Sequence, residues 1–165
     1  MTNRKWPALG VFIALLTAGC GQDTGNTQTT AGADVLPATE SSRDFGDYEL
    51  HFNALTTDRL SPAIASEYGI VRSPSRVLLN VSILQHQDIG PAMPVAGVVT
   101  ATARNLTGQT RNIAIQEIRE QEAIYYVGET SVANAESLIF TVEARVDGSD
   151  ELLTVSFQKQ FFVDR

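Results

Sequence analysis

Few side chains in this 165-residue sequence could do chemistry. There are two histidines, His51 and His86. His51 falls on the polar side of an alternating segment and His86 opens a loop. Neither stands beside a serine on a strained turn, as a nucleophilic triad requires. His86-Gln87-Asp88 offers two metal-ligand types at i and i+2. A metal site needs three or four ligands held by further hydrogen bonds, so the pair alone specifies none. A hydrolase or metal protein using His86 and Asp88 is the alternative that this pair supports. Glu117, Glu120, Glu122 and Glu129 gather around one predicted hairpin. Acid–base work needs one carboxyl desolvated against another, and positions near a turn leave carboxylates in water. Gly97, Gly108, Gly128 and Gly148 each fit a strand kink or turn rather than a phosphate-binding loop. The sequence therefore predicts no catalytic constellation, no metal and no cofactor: a protein that is not an enzyme.

Cys20 is the only cysteine, and its surroundings are specific. Arg4 and Lys5 make a positive start, Pro7 to Ala18 form an apolar run of twelve residues, and Ala18-Gly19 supply small residues for a peptidase. Twelve helical residues rise only ~18 Å, short of the ~30 Å hydrocarbon core, so the run does not read as a permanent span. An ordinary secretory signal would satisfy that pattern. The sharper expectation is a bacterial lipoprotein signal, residues 1–19, with Thr17-Ala18-Gly19-Cys20 as its lipobox, although Thr17 stands where Leu is usual. With no other cysteine, Cys20 lacks both a disulfide partner and metal co-ligands. The stretch resembles those of lipoproteins whose cysteine is acylated. That resemblance implies a membrane partner reached through the N-terminal lipid. Gly21, in the place of a retaining Asp, implies the outer membrane facing the periplasm.

Removing residues 1–19 leaves ten Lys and Arg against 19 Asp and Glu, a formal charge of −9. That balance opposes nucleic acid and anionic lipid surfaces, which need cations to neutralise phosphate. Residues 20–43 are mostly Gly, Thr, Gln, Asp, Ala and Ser, with Val35-Leu36-Pro37 the only apolar interruption. They read as a flexible tether, because such a stretch buries too little surface to offset its ordering entropy.

The remaining 44–165 must position whatever chemistry there is. Period-two alternation marks Tyr48 to Ala54, Arg76 to Gln85 (Val77, Leu79, Val81 and Ile83 on one face) and Val95 to Arg104. It continues through Gln109 to Arg119, where Ile118 falls out of phase with Ile113 and Ile115 and predicts a bulge near Gln116-Glu117. Ala123 to Val132 is apolar on both faces through Ile124-Tyr125-Tyr126-Val127, as in mid-sheet. Leu138, Phe140, Val142, Ala144 and Val146 alternate inward along the next strand. Asp147-Gly148-Ser149-Asp150 turns into the last, Glu151 to Val163. Ser61 as cap, Pro62 at the first helical position and Gly69 as stop predict one short helix after the first strand. The fold class is all-β: a seven-stranded antiparallel immunoglobulin-like β-sandwich.

Within that frame Tyr68-Gly69-Ile70-Val71-Arg72 leaves the helix for the second strand. Tyr68 reads first as an aromatic packed on the sandwich. The functional alternative joins Tyr68, Arg72 and the His86–Pro94 loop, with His86, into one end of the sandwich where a ligand or envelope protein docks. A further alternative is an assembly factor that pairs an edge strand with clients.

With these strands laid out, the chain resembles a bacterial domain-of-unknown-function family, number 4426. The resemblance rests on Tyr48-Glu49-Leu50-His51-Phe52-Asn53-Ala54, on Ala65-Ser66-Glu67-Tyr68-Gly69-Ile70-Val71-Arg72-Ser73, on Glu117-Ile118-Arg119-Glu120 running into Ala123-Ile124-Tyr125-Tyr126, and on Phe157-Gln158-Lys159-Gln160-Phe161-Phe162-Val163-Asp164. It covers roughly Phe45 to Asp164 and implies an exported sandwich domain without assigned catalytic residues. It also implies a glycine in the turn before Ile124, where this chain has Gln121.

Overall fold

The computed structural model describes residues 35–37 and 39–163. Cys20 and the signal segment lie outside the described residues. Eleven strands form two sheets: Val35–Leu36 (β1), Ser42–Asp44 (β2), Tyr48–Thr56 (β3), Arg76–Gln85 (β4), Met93–Pro94 (β5), Gly97–Asn105 (β6), Thr110–Ile113 (β7), Gln116–Glu120 (β8), Ala123–Ser131 (β9), Glu136–Val146 (β10) and Leu152–Phe161 (β11). Sheet I runs β1-β11-β10-β6-β7, and sheet II runs β2-β3-β4-β9-β8 with β5 paired to β4.

The expected count of seven is corrected to eleven. Three of the additions (β1, β2 and β5) have only two or three residues, too few to show alternation. The fourth comes from splitting the segment 109–119. It is not one bulged strand: β7 pairs with β6 in sheet I and β8 with β9 in sheet II. The chain crosses between sheets at Ala114-Ile115, directly over Gly128. A Cβ at Gly128 would lie 2.5 Å from Ile113 Cγ2 and 2.7 Å from the Ala114 carbonyl oxygen, so only glycine fits beneath the crossing. The pairing is antiparallel except for β1, which runs parallel to β11. β1 and the first two residues of β2 fall inside the stretch 20–43 expected to be tether. The loop expected to end pairing at His86–Pro94 returns as β5 against the end of β4. Pro94 is tolerated there because the strand lies off the sheet's main path.

The core is the space between the sheets. Leu50, Phe52 and Ala54 of β3 and Val77, Leu79, Val81 and Ile83 of β4 face Leu138, Phe140, Val142 and Ala144 of β10 and Leu153, Val155 and Phe157 of β11, all essentially inaccessible. Phe52 stacks on Phe157 with ring centroids 4.7 Å apart, Phe157 on Phe140 at 5.0 Å, and Phe161 closes edge-on. This ladder of rings crosses from one sheet to the other. Tyr126, on the inner side of β9, places its hydroxyl to accept from Gly97 N–H at 2.8 Å, tying sheet II to the start of β6. Burial raises the Tyr126 pKa above its ordinary value, so it stays a neutral acceptor.

Candidate functional site

Antiparallel sheets with one buried face normally expose polar residues on the other. Sheet II departs from that rule. Its outer face carries Leu55 on β3, Leu78 on β4, Tyr125 and Val127 on β9 and Ile118 on β8. The segment between β3 and β4 folds back over this face as an arm. It comprises a 3-10 turn at Thr57–Arg59, a six-residue helical segment at Pro62–Glu67, and an irregular return through Tyr68 to Ser75.

Local sequence dictates the arm's shape. Ser61 Oγ accepts from Ile64 N–H at 3.2 Å, and Pro62 occupies the first helical position. At the other end Gly69 adopts φ +64°. Gly69 N–H donates to the Ser66 carbonyl and Ile70 N–H to the Ala65 carbonyl at 2.8 Å, the paired bonds of a Schellman stop. This reversal delivers Tyr68 and Ile70 onto the sheet. Two polar ties then fix the return. The Thr57 hydroxyl, fully buried, reaches the Val71 carbonyl at 2.8 Å and the Ser73 carbonyl at 3.1 Å, and its oxygen accepts from Ser73 N–H at 2.9 Å. Arg72 donates from Nη2 to the Asp58 carbonyl.

Arm and sheet leave a groove of about 370 Å³ between them, lined by Leu55, Leu60, Ile64, Tyr68, Ile70, Leu78, Ile118, Tyr125 and Val127. Glu67, Glu120 and Asn80 complete the lining, and among the described residues no cationic side chain takes part. Asn80 Oδ1 is inaccessible to solvent and lacks a hydrogen-bond partner. That volume lies in the range of small-ligand sites, which combine an apolar lining with a few polar groups.

Of the residues singled out from sequence, Tyr68 lines this groove, while Arg72 ties the arm together beside it. His86 does not join them. Tyr68 lies over Leu78 and Asn80 of β4, whereas His86 stands beyond Gln85 against Asp44, so the groove does not bring Tyr68, Arg72 and the His86 loop together as expected. His86 Nε2 lies 3.1 Å from Asp44 Oδ2 on β2, and not against Asp88. His51 Nε2 lies 3.2 Å from Glu49 Oε2. The Gly46 N–H, with His86 adding a smaller share, holds the Asp44 carboxyl below its usual range, and Ser42 together with His51 does the same for Glu49. Among the described residues no group of three or more His, Cys, Asp or Glu is placed to hold a metal ion.

The four glutamates near the β8–β9 hairpin also part company. Glu117 pairs with Arg119, which lowers its pKa, and Glu129 pairs with Arg76 at 3.1 Å. Glu120 alone turns to the groove. Thr57 and Asn80 went unnoticed in the sequence, because a lone threonine and a lone asparagine carry no spacing signal. A third polar centre was equally hidden. Glu136 accepts from Ala133 N–H at 2.7 Å and from the Asn105 amide and Arg111 guanidinium, each at 3.2 Å. Desolvation would raise its pKa, but these donors outweigh it and hold the carboxyl below its usual range.

Fold and site together define a two-sheet all-β domain with a ligand-sized groove on the outer face of one sheet. The chain belongs to the DUF4426 family, a domain of unknown function, whose model matches residues 42–164. A DUF4426 family protein from Pseudomonas aeruginosa PAO1 is similar in structure with a TM-score of 0.64 and 31% sequence identity, over 75% of this chain and 95% of that one. FetP of uropathogenic Escherichia coli strain F11 is similar at lower identity. Its as-isolated form, expressed in the periplasm, gives a TM-score of 0.54 at 15% identity over 79% of this chain and 98% of FetP. A copper-bound variant gives 0.52 at 14% over 75% and 95%. At those identities the likeness is one of fold. No curated protein matches the chain.

Proposed function

We propose that this protein is a non-catalytic binding module of the bacterial envelope, held to the membrane, the outer membrane facing the periplasm, through a lipid on Cys20, and that it takes an apolar ligand in the groove beneath the arm. The observation that carries the binding half is the groove itself: an apolar floor on the sheet face that ordinarily meets water, roofed by an arm whose position two polar ties determine. Strand order supports an immunoglobulin-like frame for it. Taken in sequence, β3-β4-β9-β8 and β11-β10-β6 repeat the A-B-E-D and G-F-C arrangement, with β7 added beside β6. The membrane half rests on the Thr17-Ala18-Gly19-Cys20 motif and on the want of any second cysteine. One acyl chain holds a protein marginally, and several hold it almost permanently.

Two measurements test the proposal. Cells fed radiolabelled palmitate should label the wild-type protein and not Cys20→Ala, and the variant should leave the membrane fraction; equal labelling of both refutes the anchor. Calorimetric titration of the lipid-free Cys20→Ala chain with 4-butylbenzyl alcohol, a neutral apolar probe, should show one saturable site that Ile64→Trp abolishes. Ile64 is 46% exposed on the arm, so the larger ring closes the groove without disturbing the core. No saturable binding refutes the groove.

A further inference from the structure

The groove is apolar, yet its charged members share one sign. Glu67 on the arm and Glu120 at the end of β8 stand on its lining from opposite sides, and neither has an ion-pair partner among the described residues. The cations of the arm and the neighbouring strands are directed elsewhere: Arg76 to Glu129, Arg119 to Glu117, Arg72 to the Asp58 carbonyl, and Arg59 to a separate cleft that it lines with Lys159. Two carboxylates without ion-pair partners give the groove a negative potential. They suit hydrogen-bond donors carrying positive charge and reject carboxylates, phosphates and sulfates.

We propose that the ligand of this groove is a small amphiphilic amine: an aliphatic or aromatic body seated on Leu55, Leu78 and Val127, with a protonated amine that donates to the Glu67 or Glu120 carboxylate. The inference rests on the groove being a binding site and adds the sign and the donor character of what it binds. The size of the space, about 370 Å³, favours one such molecule over a length of polypeptide. The mature chain's charge of −9 would add a weaker, screened attraction, which must be separated from the local effect.

The test compares three probes of one shape on the lipid-free Cys20→Ala full mature chain: 4-butylbenzylamine, 4-butylbenzyl alcohol and 4-butylbenzoate. The amine should bind about tenfold more tightly than the alcohol, since each exposed carboxylate contributes a few-fold, and the benzoate should bind more weakly than either. Glu67→Gln with Glu120→Gln should erase the amine's preference while leaving the alcohol's affinity in place. Glu143→Gln with Asp150→Asn, an equal loss of charge away from the groove, should preserve it. Equal binding of amine and alcohol would overturn this inference and leave the apolar groove standing. Failure of all three would overturn both. Binding of an alternating lysine–leucine peptide in place of the free amine would overturn it in favour of a polypeptide partner.

Discussion

Thr57→Val tests the device that holds the arm over sheet II. The substitution keeps size and β-branching, so the fully buried site keeps its packing and loses only the hydroxyl. Two hydrogen bonds go with it: the one donated to the Val71 carbonyl at 2.8 Å and the one accepted from Ser73 N–H at 2.9 Å. Both partners are only partly shielded from water, so each bond contributes about 1 kcal/mol net, and the pair about 2 kcal/mol. That energy corresponds to roughly thirtyfold in the equilibrium between the seated and the released arm. Native-state hydrogen exchange reads it directly. The Ser73 amide should exchange about thirtyfold faster in Thr57→Val, whereas the Phe140 amide, in the centre of β10, should lose protection only as far as global stability falls. Thr57→Ser keeps the hydroxyl and should retain most of the Ser73 protection despite the missing methyl. Ser73 exchange changed by less than threefold in Thr57→Val would refute the view that this hydroxyl seats the arm.

Three further outcomes follow from particular residues. Gly128→Ala should destabilise the domain by about 1–3 kcal/mol, seen as a lower urea midpoint, because its Cβ would meet the Ala114 carbonyl at 2.7 Å where the chain changes sheets. Gln121→Gly should raise stability by about 0.5–1 kcal/mol, since Gln121 sits at φ +51° in the β8–β9 turn, a conformation that glycine enters without strain. Glu136→Gln should cost about 1–2 kcal/mol at neutral pH by leaving the Arg111 and Ala133 donors poorly matched. Because the folded pKa of Glu136 is lowered from 4.5, its contribution is full above that value and fades as pH falls through the folded pKa. The wild-type advantage over Glu136→Gln should shrink in step below pH 4.5, and a difference that persists into strong acid would refute the assignment.

The strands that sequence made legible are the ones whose two faces differ. β10 alternates without a break from Leu138 to Val146, and the structure buries those residues as the pattern requires. The boundary between β7 and β8 was hidden because Ile113 and Ile115 both face the core across the crossing, while Ile118, which turns to the outer face, reads as a bulge in one strand. Ile113 and Ile115 look like one strand face even though they belong to the two sides of a crossing. The joint site of Tyr68 and His86 failed for a different reason. Both lie beside β4, but about half of that strand separates Asn80 beneath Tyr68 from His86, and sequence proximity to one element does not say where along it a loop packs.

The groove had a signature that was misassigned. Val77-Leu78-Leu79 and Ile124-Tyr125-Tyr126-Val127 are apolar on both faces, which reads as a strand flanked by other strands; flanking, however, covers a strand's edges and leaves its outer face in water. Two-sided apolarity in an antiparallel sheet demands a second cover, and among the described residues the arm supplies it. Its cover is incomplete: Ile64 remains 46% exposed, and the groove stays open along Glu67 and Glu120. Collapse to close the gap is opposed from both sides. The floor is fixed by the ladders of β4 with β3 and β9, and the roof by Thr57, Arg72 and the Gly69 reversal, none of which depends on filling the space between. A cavity whose walls are determined independently of its contents is preorganised, so a ligand entering it loses little affinity to ordering the protein. Releasing the roof with Thr57→Val should therefore weaken 4-butylbenzylamine by the factor by which it lowers the seated fraction of the arm, at most about thirtyfold, and unchanged affinity in a variant whose Ser73 amide has lost all local protection would place the ligand elsewhere.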